Sequence, residues 1–251
     1  MRLSRLYHPE KLSFKDVQLV QLTEEKSHYL VNVLRHGIQD EIILFHQAGV
    51  EYLAKIHSIE GKKKPLVTVS LHSERLTQTE SKLAIHLIQA LAKSDKMDWI
   101  VQKSVELGVT QIYPVFTEFS ELKLNEERAL SKQQHWQNIA ISAAEQCGRT
   151  HVPTIHLPKK IADCLPHVKA ETILCLHPHS PAVSFRQAAS NLAIPQSLGI
   201  CIGPEGGFSS KEIDLFKRHA HILMSLGPRI LRTETAGIVI QSLLQHQFGD
   251  L

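Results

Sequence analysis

The sequence has 251 residues, 43% of them hydrophobic, which is enough for a sizeable core and for one or two domains. Its formal net charge of +3 permits a polyanionic partner without requiring one. The stretch "MRLSRLYHPEKLSF" lacks the apolar run of a secretory signal and no window is long and apolar enough to cross a membrane, so the chain is expected in the reducing cytoplasm.

The first seventy or so residues hold short β-like runs separated by turn residues: "SRLYHP", "VQLVQL", "EIILFHQAG", "EYLAKIHSI" and "PLVTVSLHS". Short strands at close spacing predict a small barrel. One helix interrupts them. Thr23 can cap it, Tyr29, Leu30, Val33 and Leu34 give it an apolar face, and Gly37 can end it. The turn "EGKKKP", carrying Lys62 to Lys64, reads as a solvated hairpin tip, with phosphate contact as the sharper alternative. The polar stretch "HSERLTQTES" marks a boundary, so the domains are expected at 1–72 and 73–251.

From about residue 82 strands and helices alternate. "KLAIHLIQAL" predicts a strand, and "SDKMDWIVQKSVELG" a helix capped by Ser94 or Asp95 and stopped by Gly108. "VTQIYPVFT" is a strand, and "NEERALSKQQHWQNIAISAAEQCG" a long helix begun by Asn125. Then come strands in "VPTIHL", "ETILCLH" and "SLGICIG". A helix in "SSKEIDLFKRHA" has Ser209 and Glu212 at capping-box spacing. A strand in "HILMSLG" and the closing helix "TETAGIVIQSLLQHQF" complete the chain. Alternation of this kind predicts a mostly parallel sheet covered by helices on both faces. Of the four cysteines, Cys175 and Cys201 lie in apolar runs and are expected as reduced core residues, and none forms a C-x-x-C pair with Cys147 or Cys164.

Ligands of parallel α/β sheets bind at the carboxyl ends of strands. Three loops lie there: His177-Pro178-His179, Gly203-Pro204-Glu205-Gly206-Gly207, and the run from Gly227 to Glu234 containing Arg229 and Arg232. The second loop has glycines for close backbone approach, but neither the lysine-hydroxyl pair of a P-loop nor the spacing of a dinucleotide fingerprint. A glutamate in its middle suits a cation, a hydroxyl or an amino group better than a phosphate. His177 and His179 have no evident third partner, and no metal is expected.

Four motifs in order, "LIQALAKSDKMDWIVQKSVELGV", "AAEQCGRTHVP", "IGPEGGFSSKE" and "LGPRILRTETA", together with "HYLVNVLR" earlier, resemble the SPOUT superfamily of knotted methyltransferases, and within it the family of ribosomal RNA small subunit methyltransferase E. The resemblance runs over nearly the whole chain. It implies a small PUA-like β-barrel followed by a SPOUT parallel α/β domain with a C-terminal trefoil knot. It also implies a homodimer, S-adenosyl-L-methionine as cofactor, and methylation of a uridine at N3 in 16S ribosomal RNA, within the assembled small subunit. A SPOUT methyltransferase acting on another rRNA or on tRNA is the nearest alternative, and a non-catalytic RNA-binding protein the alternative from another class.

Carried across, the cofactor pocket has Leu176 and His177 on one wall and Gly203, Pro204, Glu205, Gly206 and Gly207 on the second. Leu226, Gly227, Ile230, Leu231 and Arg232 form the third. Methylation at N3 requires loss of a proton, so a cation must favour the uridine anion. Arg149 and Arg232 are the candidates for that cation, and Glu234 is a candidate base or orienting residue. Glu145 and Gln146 stand at the negative end of a long helix dipole. Glu145 is read either as part of the RNA site or as an i,i+4 partner of Arg149. Arg2, Arg5, Arg35, Lys93 and Lys103 complete the expected RNA contacts, while Lys96 lies between the last two.

Overall fold

The computed structural model describes residues 3–14, 19–46, 49–120, 124–178 and 182–251, with the backbone alone at Ser94. The chain divides into two compact units, Met1–Glu80 with Ala144–His151, and Ser81–Ala143 with Val152–Leu251. The division falls at residue 80 rather than at 72. The fifth strand continues to Leu76, where it still pairs with Val50.

The first unit is a five-stranded sheet of β1 (Ser4–Tyr7), β2 (Leu19–Gln21), β3 (Glu41–His46), β4 (Val50–Glu60) and β5 (Leu66–Leu76), in the order β1-β3-β4-β5-β2. Only β1 runs parallel to its neighbour; the other pairs are antiparallel. Alternation sets the buried face: Val67, Val69 and Leu71 of β5 point inward, against Ile42, Leu44 and Ile56. Gly61 makes the β4–β5 turn possible. It sits at φ +81°, and an added Cβ would stand 2.5 Å from the Lys64 carbonyl oxygen.

The helix predicted from Glu24 to Arg35 has two parts. The Thr23 hydroxyl accepts from the Lys26 amide at 3.3 Å and opens α1 (Glu24–His28), which passes into a π turn over Tyr29–Val33. Arg35, at φ 60°, ends it two residues before the expected Gly37. The wider turn rotates the apolar positions apart. Leu30 enters the core, whereas Tyr29, Val33 and Leu34 remain 41%, 57% and 38% exposed.

The second unit is an all-parallel sheet of β6 (Ala84–Ala90), β7 (Val109–Phe116), β8 (Thr154–Ile155), β9 (Lys159–Lys160), β10 (Thr172–Leu176), β11 (Val183–Ser184), β12 (Ser197–Ile202) and β13 (Ile222–Ser225). Its order is β11-β13-β10-β12-β6-β7-β8, with β9 also on β7. The helices are α2 (Ser94–Glu106), α3 (Glu126–Cys147, whose last turn groups with the first unit), α4 (Ile161–Cys164), α5 (Phe185–Ser190), α6 (Ser210–Arg218) and α7 (Thr233–Phe248). Leu198 through Ile202 are all buried, as expected of a strand covered on both faces. The capping box of α6 forms as its spacing predicts. The cap of α2 is Lys93 rather than Ser94 or Asp95, because the helix starts one residue earlier. Cys175 and Cys201 are fully buried and all four cysteines are free; burial pushes the Cys164 thiol up to about 11.

Candidate cofactor and catalytic site

Strands β13, β10 and β12 are adjacent in the sheet, so their carboxyl ends bring the three predicted loops side by side. Between them lies a cavity of about 270 Å³. Leu176, His177 and Pro178 form its first wall, and the His177 amide donates to the Met224 carbonyl at 2.8 Å. Gly203, Pro204, Glu205, Gly207 and Phe208 form the second. Gly207, at φ +74°, closes a turn by donating to the Pro204 carbonyl at 2.9 Å. Leu226, Gly227, Ile230, Leu231 and Arg232 form the third. Gly206 does not line the cavity: a Cβ there would stand 3.0 Å from the Phe119 Cβ, on the outer side of the loop.

Two residues not expected from the sequence hold the walls together. Gln89, fully buried on β6, donates to the Thr233 hydroxyl at 3.0 Å, and that hydroxyl donates to the Gly203 carbonyl at 2.8 Å. The start of α7 is thereby clipped to the end of β12. A glutamine inside the apolar strand "AIHLIQA" was the available signal, since a buried amide must find partners. The second is Lys96 of α2. Its ammonium lies 2.6 Å from Glu205 Oε1 and 3.7 Å from Glu234 Oε2. Glu205 thus lines the cavity, as expected of its loop, and also forms an ion pair with Lys96.

That hydrogen bond is the foremost cause of two shifts: it raises the pKa of Lys96 and lowers that of Glu205. The lowered carboxylate contributes stability above the ordinary carboxylate range, which is lost as pH falls through its folded value. The raised ammonium contributes below the ordinary lysine range, which is lost as pH rises through its folded value. The pair is thus intact throughout the neutral range. With Glu205 44% and Lys96 26% exposed, solvent keeps its strength modest.

Arg232 and Glu234 flank Thr233 at the start of α7. Glu234 does not line the cavity; its Oε2 is buried, makes no hydrogen bond and lies 3.7 Å from the Lys96 ammonium. Arg229 and Ile230 are exposed on the rim, Ile230 at 75%. Among the described residues no group of three His, Cys, Asp or Glu is placed to hold a metal; His179 lies outside them.

The remaining predicted residues divide. Arg149 is 5% exposed, with Nε and Nη2 on Glu80 Oε2 at 2.9 and 2.7 Å. It belongs to the first unit and does not line the cavity, so its geometry is that of a structural ion pair rather than an anion stabiliser. Glu145 does not pair with Arg149. It accepts from the Tyr7 amide at 2.9 Å and the Lys26 ammonium at 2.6 Å. Arg5 is buried against Glu51 with its guanidinium 4.9 Å from the Phe45 ring centroid, and it donates to the Arg149 carbonyl. It is a core cation and not a phosphate contact. Arg35, Lys93 and Gln146 are exposed, and Lys103 is paired with Glu106 at 2.8 Å. Arg2 lies outside the described residues.

Comparison with known proteins agrees with this architecture. An RNA methyltransferase domain family matches residues 79–245, and an RNA methyltransferase PUA domain matches residues 22–70. Fold and site together define a SPOUT-type RNA methyltransferase domain preceded by a PUA-like domain. The chain is 34% identical to the ribosomal RNA small subunit methyltransferase E of Buchnera aphidicola from Schizaphis graminum, covering 100% of this chain and 98% of that one. It is 30% identical to the Bacillus subtilis protein of the same name, covering 94% and 93%. It belongs to the ribosomal RNA small subunit methyltransferase E family. Among solved structures, a Legionella pneumophila methyltransferase in complex with SAM superposes at a TM-score of 0.91, with 38% identity and full coverage of both chains. The Neisseria gonorrhoeae member, bound to S-adenosyl methionine, superposes at 0.89 with 33% identity and full coverage of both.

Proposed function

We propose that this chain transfers the methyl group of S-adenosylmethionine to N3 of a uridine in small-subunit ribosomal RNA. The observation that carries the reading is the three-walled cavity lined by Arg232, with Glu234 two residues further on in the first turn of α7. The relatives' names and the cofactor in two structural neighbours support it.

The residues present fit such a cofactor. Leu226, Ile230 and Leu231 offer apolar surface to an adenine, and the backbone of the Gly203–Gly207 turn offers polar groups to hydroxyls and an amine. When bound, the cofactor supplies an electrophilic methyl group on a sulfonium. The protein supplies the rest. Arg232 favours the uridine anion, and Glu234 Oε2, which makes no hydrogen bond and lies 3.7 Å from Lys96, accepts the N3 proton. Lys96 reaches both acids, at 2.6 Å from Glu205 and 3.7 Å from Glu234, and so orients them. Lys96→Met should loosen the Glu205 turn and weaken cofactor binding roughly two- to fivefold, the scale of an exposed ion pair. Isothermal titration reads this, and an unchanged affinity would show that the bridge does not shape the pocket.

Arg35, Lys93, Lys103 and Gln146 supply backbone contacts to RNA, which makes affinity fall steeply with added salt. We also read the protein as a cytoplasmic homodimer with a knotted C-terminal region, acting on the assembled small subunit; sedimentation tests the dimer. The decisive assay supplies labelled S-adenosylmethionine and small subunits from cells lacking the activity, then maps the modified base by mass spectrometry. Transfer to a uridine at N3 is expected. Absence of transfer, or transfer to another base, would defeat the proposal.

A further inference from the structure

We propose that Phe119 is a base-stacking platform for the RNA strand beside the cofactor pocket, and that the cleft next to it, lined by Lys160, Lys211 and Arg218, seats that strand's phosphates. This rests on the reading of the substrate as RNA.

The loop after β7 carries Phe119, whose side chain is 48% exposed. Its Cβ lies where a Cβ on Gly206 would meet it at 3.0 Å, so the ring is anchored against the outer side of the cofactor turn. The preceding residues of the same loop, Thr117 and Glu118, form one wall of a second cavity, of about 630 Å³. Lys160 and Ile161 form another wall, and Lys211, Leu215 and Arg218, at i, i+4 and i+7 on α6, form a third.

The charge in this cleft is unbalanced. Lys160 and Lys211 have no ion-pair partner among the described residues, and Arg218 Nε reaches only the Asp214 carbonyl at 3.3 Å. Of the two acids in the lining, Glu212 is committed. Its oxygens accept from the Glu118 amide at 2.9 Å and the Ser209 amide at 2.8 Å, and it is 8% exposed. Three cations therefore face one exposed acid, Glu118. A cationic groove beside an exposed aromatic ring is how single strands are held without sequence readout. Such a surface suits transfer to N3, because a uridine whose Watson–Crick edge is open has lost its pairing, and a strand held unpaired exposes bases that an aromatic ring can stack.

The test uses the full chain and a short fluorescent, uridine-rich single-stranded RNA. Phe119→Ala should weaken binding at least about fivefold, and Phe119→Trp should restore it, because stacking needs a ring and a merely structural role does not. Cofactor affinity should be the same in both, since Phe119 does not line that pocket. The exposed double variant Lys211→Gln with Arg218→Gln should lower the slope of log K against log salt by about one to two. Wild-type binding by Phe119→Ala, no rescue by tryptophan, or an unchanged salt slope overturns the proposal. Methylation of small subunits by the wild type is scored separately. If that succeeds while these variants bind normally, only this surface is refuted; if it fails, the methyltransferase reading goes first.

Discussion

Glu234→Gln should bind the cofactor as the wild type does and transfer methyl groups at least about a hundredfold more slowly, the usual scale for loss of a general base. The side chains are nearly isosteric, so the mouth keeps its shape. What changes is the ability of Oε2 to take a proton. That oxygen has no hydrogen-bond partner, and its nearest charge is Lys96 at 3.7 Å. The shorter Lys96–Glu205 bond, at 2.6 Å, does not involve the substituted side chain and should keep the Glu205 turn in place. Single-turnover transfer separates this from a binding effect: kcat should fall with the cofactor Kd unmoved. A rate within about threefold of wild type, far short of what a general base contributes, would assign the proton to another group.

The largest effect on stability is expected from Glu80→Ala. Glu80 accepts four hydrogen bonds, two from Arg149 and one each from the Thr150 and His151 amides at 3.0 Å. Its removal takes two hydrogen bonds and the facing charge from a guanidinium that is 5% exposed. Breaking a buried pair from one side costs about 3–5 kcal/mol, and the 29% exposure of Glu80 places this case nearer 2–3 kcal/mol. In a unit of this size that lowers Tm by roughly 10 °C or more. Calorimetry reads it directly. Glu80→Gln, which keeps an acceptor but no charge, should fall between. An unchanged transition in Glu80→Ala would mean that the segment from 144 to 151 is held by other contacts.

Local signals in the sequence translated well into structure. The Ser209 to Glu212 spacing became a capping box because both partners sit in one turn. The three loops were visible because Gly-Pro and His-Pro breaks follow apolar runs. The box of Ser184 and Gln187 was equally local and marks α5, but six residues are too few for a helical period to show. Longer-range features stayed hidden. Lys96 and Glu205 are 109 positions apart, and Gln89 and Thr233 are 144 apart; only the strand order brings them together. The reading of Glu145 with Arg149 failed for the same reason, since Lys26 and the Tyr7 amide take Glu145. The π turn after His28 has no residue that announces it.

The discontinuous first unit has a consequence for synthesis of the chain. Residues 1–80 cannot complete it, because Glu80 and Lys26 find their partners in Ala144–His151. A chain emerging at roughly 5–20 residues per second leaves the five-stranded sheet without that segment for about 4–14 s after Glu80 appears. During that interval Lys26 and Glu80 are without their later partners, Glu145 and the Arg149–His151 segment. Stalled nascent chains ending near residue 120 should therefore be cut readily by protease within the first unit, and chains extended well past residue 151 should resist. The first unit to be translated is therefore still open when most of the first segment of the second has been made.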